Sequence, residues 1–393
     1  EGMPFLEALR QFAHEEEDGD ILFTHVTLVP YSKNGEQKTK PTQHSVKELR
    51  SIGLQPDVLV GRSEDKLDPE TKEKIALFCD VPTEAVFSNS DVEDIYHVPL
   101  MVEEEGLDEF VMERLNLSVE ARPKPERDNR WRELVTRDRE QEVDVALVGK
   151  YDLEDAYMSV NEALKHAGIE TRTEVNVLWV DSDEMLDKHT NRLKEADGVV
   201  VPGGFGTRGT AGKIEAIRYC RENDVPFLGL CLGFQMAVVE HARNVLGHED
   251  AHSAEIDPDT TYPVIDLLPE QYETEDMGGT MRLGAHETAI GEGSLAEHVY
   301  GATACTERHR HRYEVAPDYI DELEDGALTF SGRADNRMEI LERTDHPYFL
   351  GTQFHPEFRS RPDRASPPFV GFLQAVLGDL DARELAADPE VQA

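Results

Sequence analysis

Lysine disappears from this chain after position 213. Only 13 of the 393 residues are lysine, and the other 27 of the 40 basic residues are arginine. Acidic residues number 81, so the net charge is −41. Such a surface repels polyanions, and no nucleic-acid partner is expected. No run of 18 or more apolar residues occurs, which leaves no candidate membrane span. The start carries no signal-peptide pattern. Cysteine is scarce: Cys79, Cys220, Cys231 and Cys305 form no CxxC or zinc spacing. Reduced thiols in a cytoplasm are the expectation. Internal repeats and low-complexity tracts are also missing.

What is present is a foldable chain. Hydrophobic residues make up 39%, and the length suits two or three domains. The acidic residues lie between clear apolar runs, which favours a carboxylate-covered folded surface over a disordered acidic tail. At about 1 M salt the Debye length is roughly 3 Å, so self-repulsion is screened. The expectation is a protein fitted to a salty cytoplasm that loses structure in dilute buffer.

Residues 1–117 mix strands (ILFTHVTLVP, PDVLVGR) with helices (SVKELRSIG, ETKEKIALFC). The opening EGMPFLEALRQF reads as a start inside a domain. Residues 118–141 are charged, carry two prolines and read as a linker with a short helical part. From 142 the pattern resets. VDVALVGKY, VNVLWV, ADGVVVPGG and VPFLGL are strands. DAYMSVNEALKHAG, GTAGKIEAIRYCREN and FQMAVVEHARNVLG are helices, the first with a glycine stop. Alternating strands and helices predict a doubly wound α/β domain with a parallel sheet over 142–378, followed by an acidic tail at 379–393.

GLCLG, residues 229–233, fits G-x-C-x-G, a nucleophile elbow with cysteine in the serine place. The turn from strand to helix is tight, so a side chain at either flank would crowd it. Cys231 then meets a helix N-terminus, whose dipole favours thiolate, and the Leu232 N–H can donate to an oxyanion. A buried structural cysteine is the competing reading. FHPEF, residues 354–358, favours the first. Pro356 keeps His355 extended, and in an extended chain Glu357 points to the same side as His355. A carboxylate there orients an imidazole that takes the thiol proton. VPGGFGTRG, residues 201–209, follows a strand and opens a helix; it reads as an oxyanion and substrate loop.

Together these elements resemble the class I (triad) glutamine amidotransferase family. The resemblance implies that Cys231 attacks the glutamine amide, His355 protonates the leaving ammonia and Glu357 positions His355. KTKPTQHSVKELRSIG at 38–53, GGTMRLG at 278–284 and RHRHRYEV at 308–315 narrow this to a resemblance to the CTP synthase family. Before any family is invoked, the four lysines crowded at 33–47 suggest anion binding, or else a solvated basic loop. The family implies amination of UTP to CTP with ATP and Mg2+, activation by GTP, feedback inhibition by CTP and a homotetramer. By the same resemblance, Glu1, Lys38, Thr39, Lys40, Pro41, Thr42, Gln43 and Lys74 contact UTP or CTP. Gly204, Leu232, Gly233, Phe234, Gln235, Glu255 and Arg312 hold glutamine, and Arg208 and Arg282 belong to the GTP response. The family's synthase domain begins with a phosphate loop and magnesium ligands. No G-x-x-x-x-G-K-[ST] occurs here, so the expectation is a chain holding the latter part of an α/β P-loop-type synthase domain and no metal site. A stand-alone class I cysteine hydrolase acting on γ-glutamyl or peptide bonds is the alternative. It leaves the lysine-rich stretch unexplained. A non-catalytic nucleotide-binding protein is a third reading, and the intact Cys231, His355 and Glu357 speak against it.

Overall fold

A computed structural model describes residues 2–17, 19–117, 126–150, 154–183, 185, 190–268, 271, 281–324 and 326–387. Glu1, the Gly278–Thr280 part of GGTMRLG and the last six residues of the expected tail lie outside them. The chain forms two compact units, Glu1–Thr136 and Arg137–Ala393.

The N-terminal unit is built on a parallel sheet of β1 (Thr24–Leu28), β2 (Val58–Ser63) and β3 (Val86–Ser90), in that order. Side chains alternate along β2. Leu59 faces one core with Val29, Val46, Ile75 and Cys79, while Val58 and Val60 face another with Phe87. Helix α1 spans Met3–Glu15, α2 Lys40–Ser51 and α3 Pro69–Cys79. The N-terminus of α2 lies at Lys40, five residues before Ser45, where the sequence pattern had suggested it. Pro41 suits the first turn, since its missing N–H would have no partner there. Asp68 caps α3 by accepting from the Thr71 N–H at 2.7 Å. Helices α4 (Val98–Glu104), α5 (Leu107–Arg114) and α6 (Glu126–Val135) follow. Helix α6 falls in the segment expected to be a linker. Its Leu134 and Val135 are buried, and the Trp131 indole N–H donates to the Tyr96 carbonyl at 3.2 Å. Apolar contacts therefore dock this helix on the N-terminal unit.

The second unit carries a nine-stranded sheet in the order β11-β10-β13-β14-β15-β7-β6-β4-β5. Five neighbours are parallel: β15 (Phe349–Thr352), β7 (Phe227–Leu230), β6 (Gly198–Val201), β4 (Gln141–Gly149) and β5 (Thr173–Asp181). This is the expected doubly wound core. Four antiparallel strands extend it on one side, which the strand–helix alternation did not announce: β10 (Arg282–Ile290), β11 (Ala304–His311), β13 (Leu328–Ala334) and β14 (Arg337–Arg343). A small sheet of β8 (Ala251–Ser253), β9 (Tyr262–Asp266) and β12 (Glu314–Val315) stands apart.

Strand side chains sort to the two faces in turn. Ala146, Val148, Val199 and Val201 join one core, and Val145, Leu147, Val200 and Leu228 join the other. The second core takes helix α7 (Met158–Thr171) and the helix Pro367–Val376. After the short α8 (Thr190–Leu193), helices α9 (Thr210–Asn223) and α10 (Leu232–Asn244) cover the first. Helix α7 continues through Gly168, expected to stop it, and ends at Arg172 in the left-handed region. Gly168 is there for space: a Cβ would stand 2.5 Å from the Thr173 carbonyl oxygen. No helix is long and apolar enough to cross a membrane among the described residues.

Candidate active site

Three adjacent parallel strands, β15, β7 and β6, release their chains at the same edge of the sheet. That edge is where open α/β sheets bind ligands. β7 ends at Leu230 and hands over to Cys231, β15 ends at Thr352 three residues before His355, and β6 ends at Val201 before Pro202-Gly203-Gly204. Strand order thus brings together residues far apart in sequence.

Cys231 is the N-cap of α10 and sits at φ +51°, ψ −98°, a strained conformation for a residue with a side chain. The flanking glycines make the bend feasible. A Cβ on Gly233 would stand 2.1 Å from the Val201 carbonyl oxygen, and one on Gly229 would stand 2.9 Å from the Gly233 carbonyl carbon. The Cys231 N–H donates to Thr352 O at 2.7 Å, pinning the elbow to β15. Leu232 opens α10, where N–H groups have no intrahelical acceptor.

His355 Nδ1 and Glu357 Oε1 are 2.7 Å apart, and His355 and Cys231 border the same space: a Cβ on Gly203 would stand 2.9 Å from His355 Cε1 and 3.5 Å from Cys231 Cβ. Burial disfavours charge on this ring. The negative charge and hydrogen bond of Cys231, joined by Glu357, outweigh burial and raise its pKa to about 11. The three residues expected to form a triad therefore come together, but not by the expected backbone. Pro356–Arg359 is a 3-10 turn, and that turn, not an extended strand, brings Glu357 under His355. The His355 N–H donates to Arg308 O at 2.8 Å, and its ring stacks on Phe358.

The glutamine-binding candidates surround this centre. A Cβ on Gly204 would meet Leu232 Cδ2 at 3.3 Å, so the loop and the start of α10 touch. Burial raises the Glu255 pKa, opposed by a hydrogen bond from the Gly206 backbone and by the Arg312 charge. The Arg312 Nε is buried and has no hydrogen-bond partner among the described residues. Gln235 donates to Tyr313 O at 3.0 Å and to Gln353 Oε1 at 3.2 Å. Gln353 Nε2 lies 3.8 Å from the Cys231 sulfur. Sequence reading missed Gln353, although it stands two residues before His355. The Phe234 side chain points the other way, into the core beside Phe330.

In the N-terminal unit, Lys38 and Lys40 are exposed at the start of α2, and Lys74 is exposed on α3. Thr39 precedes α2 and accepts from Gln43 Nε2 at 3.0 Å. Pro41 is exposed, whereas Thr42 is buried and donates to Leu28 O at 3.3 Å.

Arg208 is exposed and paired with Asp183. Arg282 is not exposed: it is paired with buried Glu339. Beside that pair, His309 Nδ1 and His311 Nε2 are 2.9 Å apart, and His309 Nδ1 lies 3.6 Å from Glu339 Oε2. Burial, with Arg282 adding, pushes His309 to about 2 and His311 to about 3, so both rings are neutral. His309, His311 and Glu339 each bring a ligand atom within 4.8 Å of the others. A divalent cation fits the distances but not the charge. Arg282 already neutralises Glu339, and Arg337 faces Glu314 at 3.3 Å. No metal is assigned here.

Comparison with known proteins agrees with this geometry. Residues 152–375 match the model of class I glutamine amidotransferases, and residues 1–117 match that of the CTP synthase N-terminus. The CTP synthase of Haloquadratum walsbyi is 77% identical over all of this chain and 71% of its own length. That of Halobacterium salinarum is 73% identical over the same shares, and that of Archaeoglobus fulgidus is 58% identical over 96% and 71%. The glutaminase domain of Trypanosoma brucei CTPS, solved with bound acivicin, superposes with a TM-score of 0.57 at 37% identity, covering 60% of this chain and 94% of that one. The chain belongs to the CTP synthase family, which makes CTP from UTP by glutamine-dependent amination.

Proposed function

We propose that Cys231, His355 and Glu357 are the glutaminase machinery of this enzyme, and that the ammonia they release aminates UTP. The observation that carries this is the convergence of Cys231, His355 and Glu357 on Gly203 at the edge shared by three parallel strands. His355, held by Glu357, carries the proton of the Cys231–His355 pair as the reaction starts. The sulfur attacks the side-chain amide carbon of glutamine, and the carbonyl oxygen takes the negative charge, facing the Leu232 N–H. As the C–N bond breaks, His355 gives its proton to the leaving nitrogen, which departs as neutral ammonia. The neutral imidazole then takes a proton from water as the water oxygen attacks the thioester. The C–S bond breaks, glutamate leaves and the proton stays with the Cys231–His355 pair for the next turnover. Ammonia made inside the protein keeps its lone pair, whereas free ammonia is mostly protonated at neutral pH.

Glu255 faces the substrate ammonium and Arg312 its carboxylate in this reading, with Gly204, Gly233, Gln235 and the Phe234 backbone shaping the floor. Lys38, Thr39, Lys40, Pro41, Thr42 and Gln43 with Lys74 form part of a UTP and CTP site. The α2 N-terminus adds its N–H groups to the lysine charges there. Arg208 carries the GTP response; Arg282 acts inside the domain, where Glu339 holds it. A homotetramer is part of the proposal. The family uses ATP and Mg2+, but the 393 residues contain no G-x-x-x-x-G-K-[ST], so no residue and no step is assigned to them. A chloroketone analogue of glutamine tests the glutaminase reading. It should add one adduct, on Cys231, with free glutamine protecting. Labelling at another cysteine, or none, would refute it.

A further inference from the structure

Lys213 is the last lysine of the chain and among its largest fully buried side chains, 1% exposed. It stands in the first turn of α9 with its ammonium donating to the Pro202 carbonyl at 3.3 Å. No carboxylate pairs with it among the described residues. Burial pulls its pKa down to about 8. The charge of Cys231 opposes that shift, and Lys150 adds to it. A buried cation without a carboxylate costs stability. The position of this one suggests what the cost supports.

The wall between Lys213 and the triad is one peptide thick. A Cβ on Gly204 would lie 3.5 Å from the Lys213 ammonium, and one on Gly203 would lie 2.9 Å from His355 Cε1 and 3.5 Å from Cys231 Cβ. The Pro202–Gly203 peptide is trans, so its C=O and N–H point in opposite directions. With the carbonyl held by Lys213, the Gly203 N–H turns toward the side where Cys231 and His355 stand. A cation on the far side polarises that peptide and adds its own field across a short, water-poor gap.

We propose that Lys213 is a positioning residue of the glutaminase site, orienting and polarising the Pro202–Gly203 peptide toward the negative charge on the Cys231 sulfur and the substrate oxygen. This rests on the assignment of Cys231 as nucleophile. Glutamine hydrolysis draws charge onto the sulfur and then onto the carbonyl oxygen, and a fixed positive charge behind the loop favours both. His355 cannot serve throughout, because it gives up its proton when ammonia leaves.

The test uses the full-length enzyme with Lys213→Met and Lys213→Gln. Both remove the charge; Met keeps the length and apolar stem, and Gln keeps a donor. Iodoacetamide, small and neutral, reads the thiolate without using the glutamine site. The inference expects the acid limb of the alkylation profile to move up by about one pH unit in both variants. Glutamine turnover should fall about tenfold or more, with KM changed less than kcat. The melting temperature should be equal or higher in Lys213→Met, since a buried charge has been removed. An unmoved limb with a uniformly lower rate would mean a merely structural lysine, and unchanged turnover would overturn the inference. So would failure of Lys213→Met to fold. Cys231→Ala, run alongside, separates the two claims: if it retains glutamine turnover, the nucleophile assignment fails, whatever Lys213 does.

Discussion

At Gly233 the proposed glutaminase site depends on a missing methyl group. The Val201 carbonyl oxygen occupies the space a side chain would need, 2.1 Å from the ideal Cβ position. Gly233→Ala should therefore push α10 away from β6, destabilise the domain by about 3 kcal/mol and abolish glutamine turnover. Urea unfolding in molar KCl measures the first effect. Glu307 offers a residue-scale test with a pH signature. Burial raises its pKa to about 7, while Arg359 and the Tyr300 hydroxyl oppose the shift. A carboxyl raised above its unfolded value of 4.5 favours the fold below that value, and the contribution is lost as pH climbs through 7. Glu307→Gln should then gain about 2 kcal/mol over the parent above pH 8 and almost nothing near pH 4.5. A gain of equal size at both pH values would contradict the buried-acid account.

At the scale of elements, local signals did well where geometry is local. G-x-C-x-G was legible as an elbow only together with HPE, because two glycines and a cysteine fit a buried structural cysteine about as well. HPE was legible as a pair, although a 3-10 turn and not an extended strand makes the contact. Gln353, Lys213 and the His309–His311–Glu339 cluster were not legible as site neighbours. Gln353 reaches the sulfur only because β15 lies beside β7, and Glu339 lies behind it only because β14 pairs with β15. Those pairings join strands more than a hundred residues apart or cross from the parallel to the antiparallel half, and no spacing within one element encodes them. Helix α2 starts five residues before the SVKELRSIG pattern because Pro41, which suits a helix's first turn, lets KPTQH join it. A cap makes the element-scale prediction. Asp68→Ala removes the acceptor for the Thr71 N–H and should cost about 1 kcal/mol in unfolding of the N-terminal unit. Asp68→Asn should restore most of it.

At the scale of the molecule, charge sets the conditions and strand order sets the chemistry. A net charge of −41 on 393 residues makes the compact state repel itself unless salt screens it. The melting temperature should rise steeply between about 0.1 M and several molar KCl; a flat curve would refute the acidic-surface reading. The proposed glutaminase site lies at one edge of one sheet, where a strained cysteine, an imidazole held by a carboxylate and a glycine loop converge. The most direct measurement is CTP formation by the full-length enzyme carrying Cys231→Ala, with glutamine and then with ammonium chloride as nitrogen source. The account predicts no product from glutamine and near-parental rates from ammonia. Glutamine-driven CTP synthesis persisting without that thiol would contradict it.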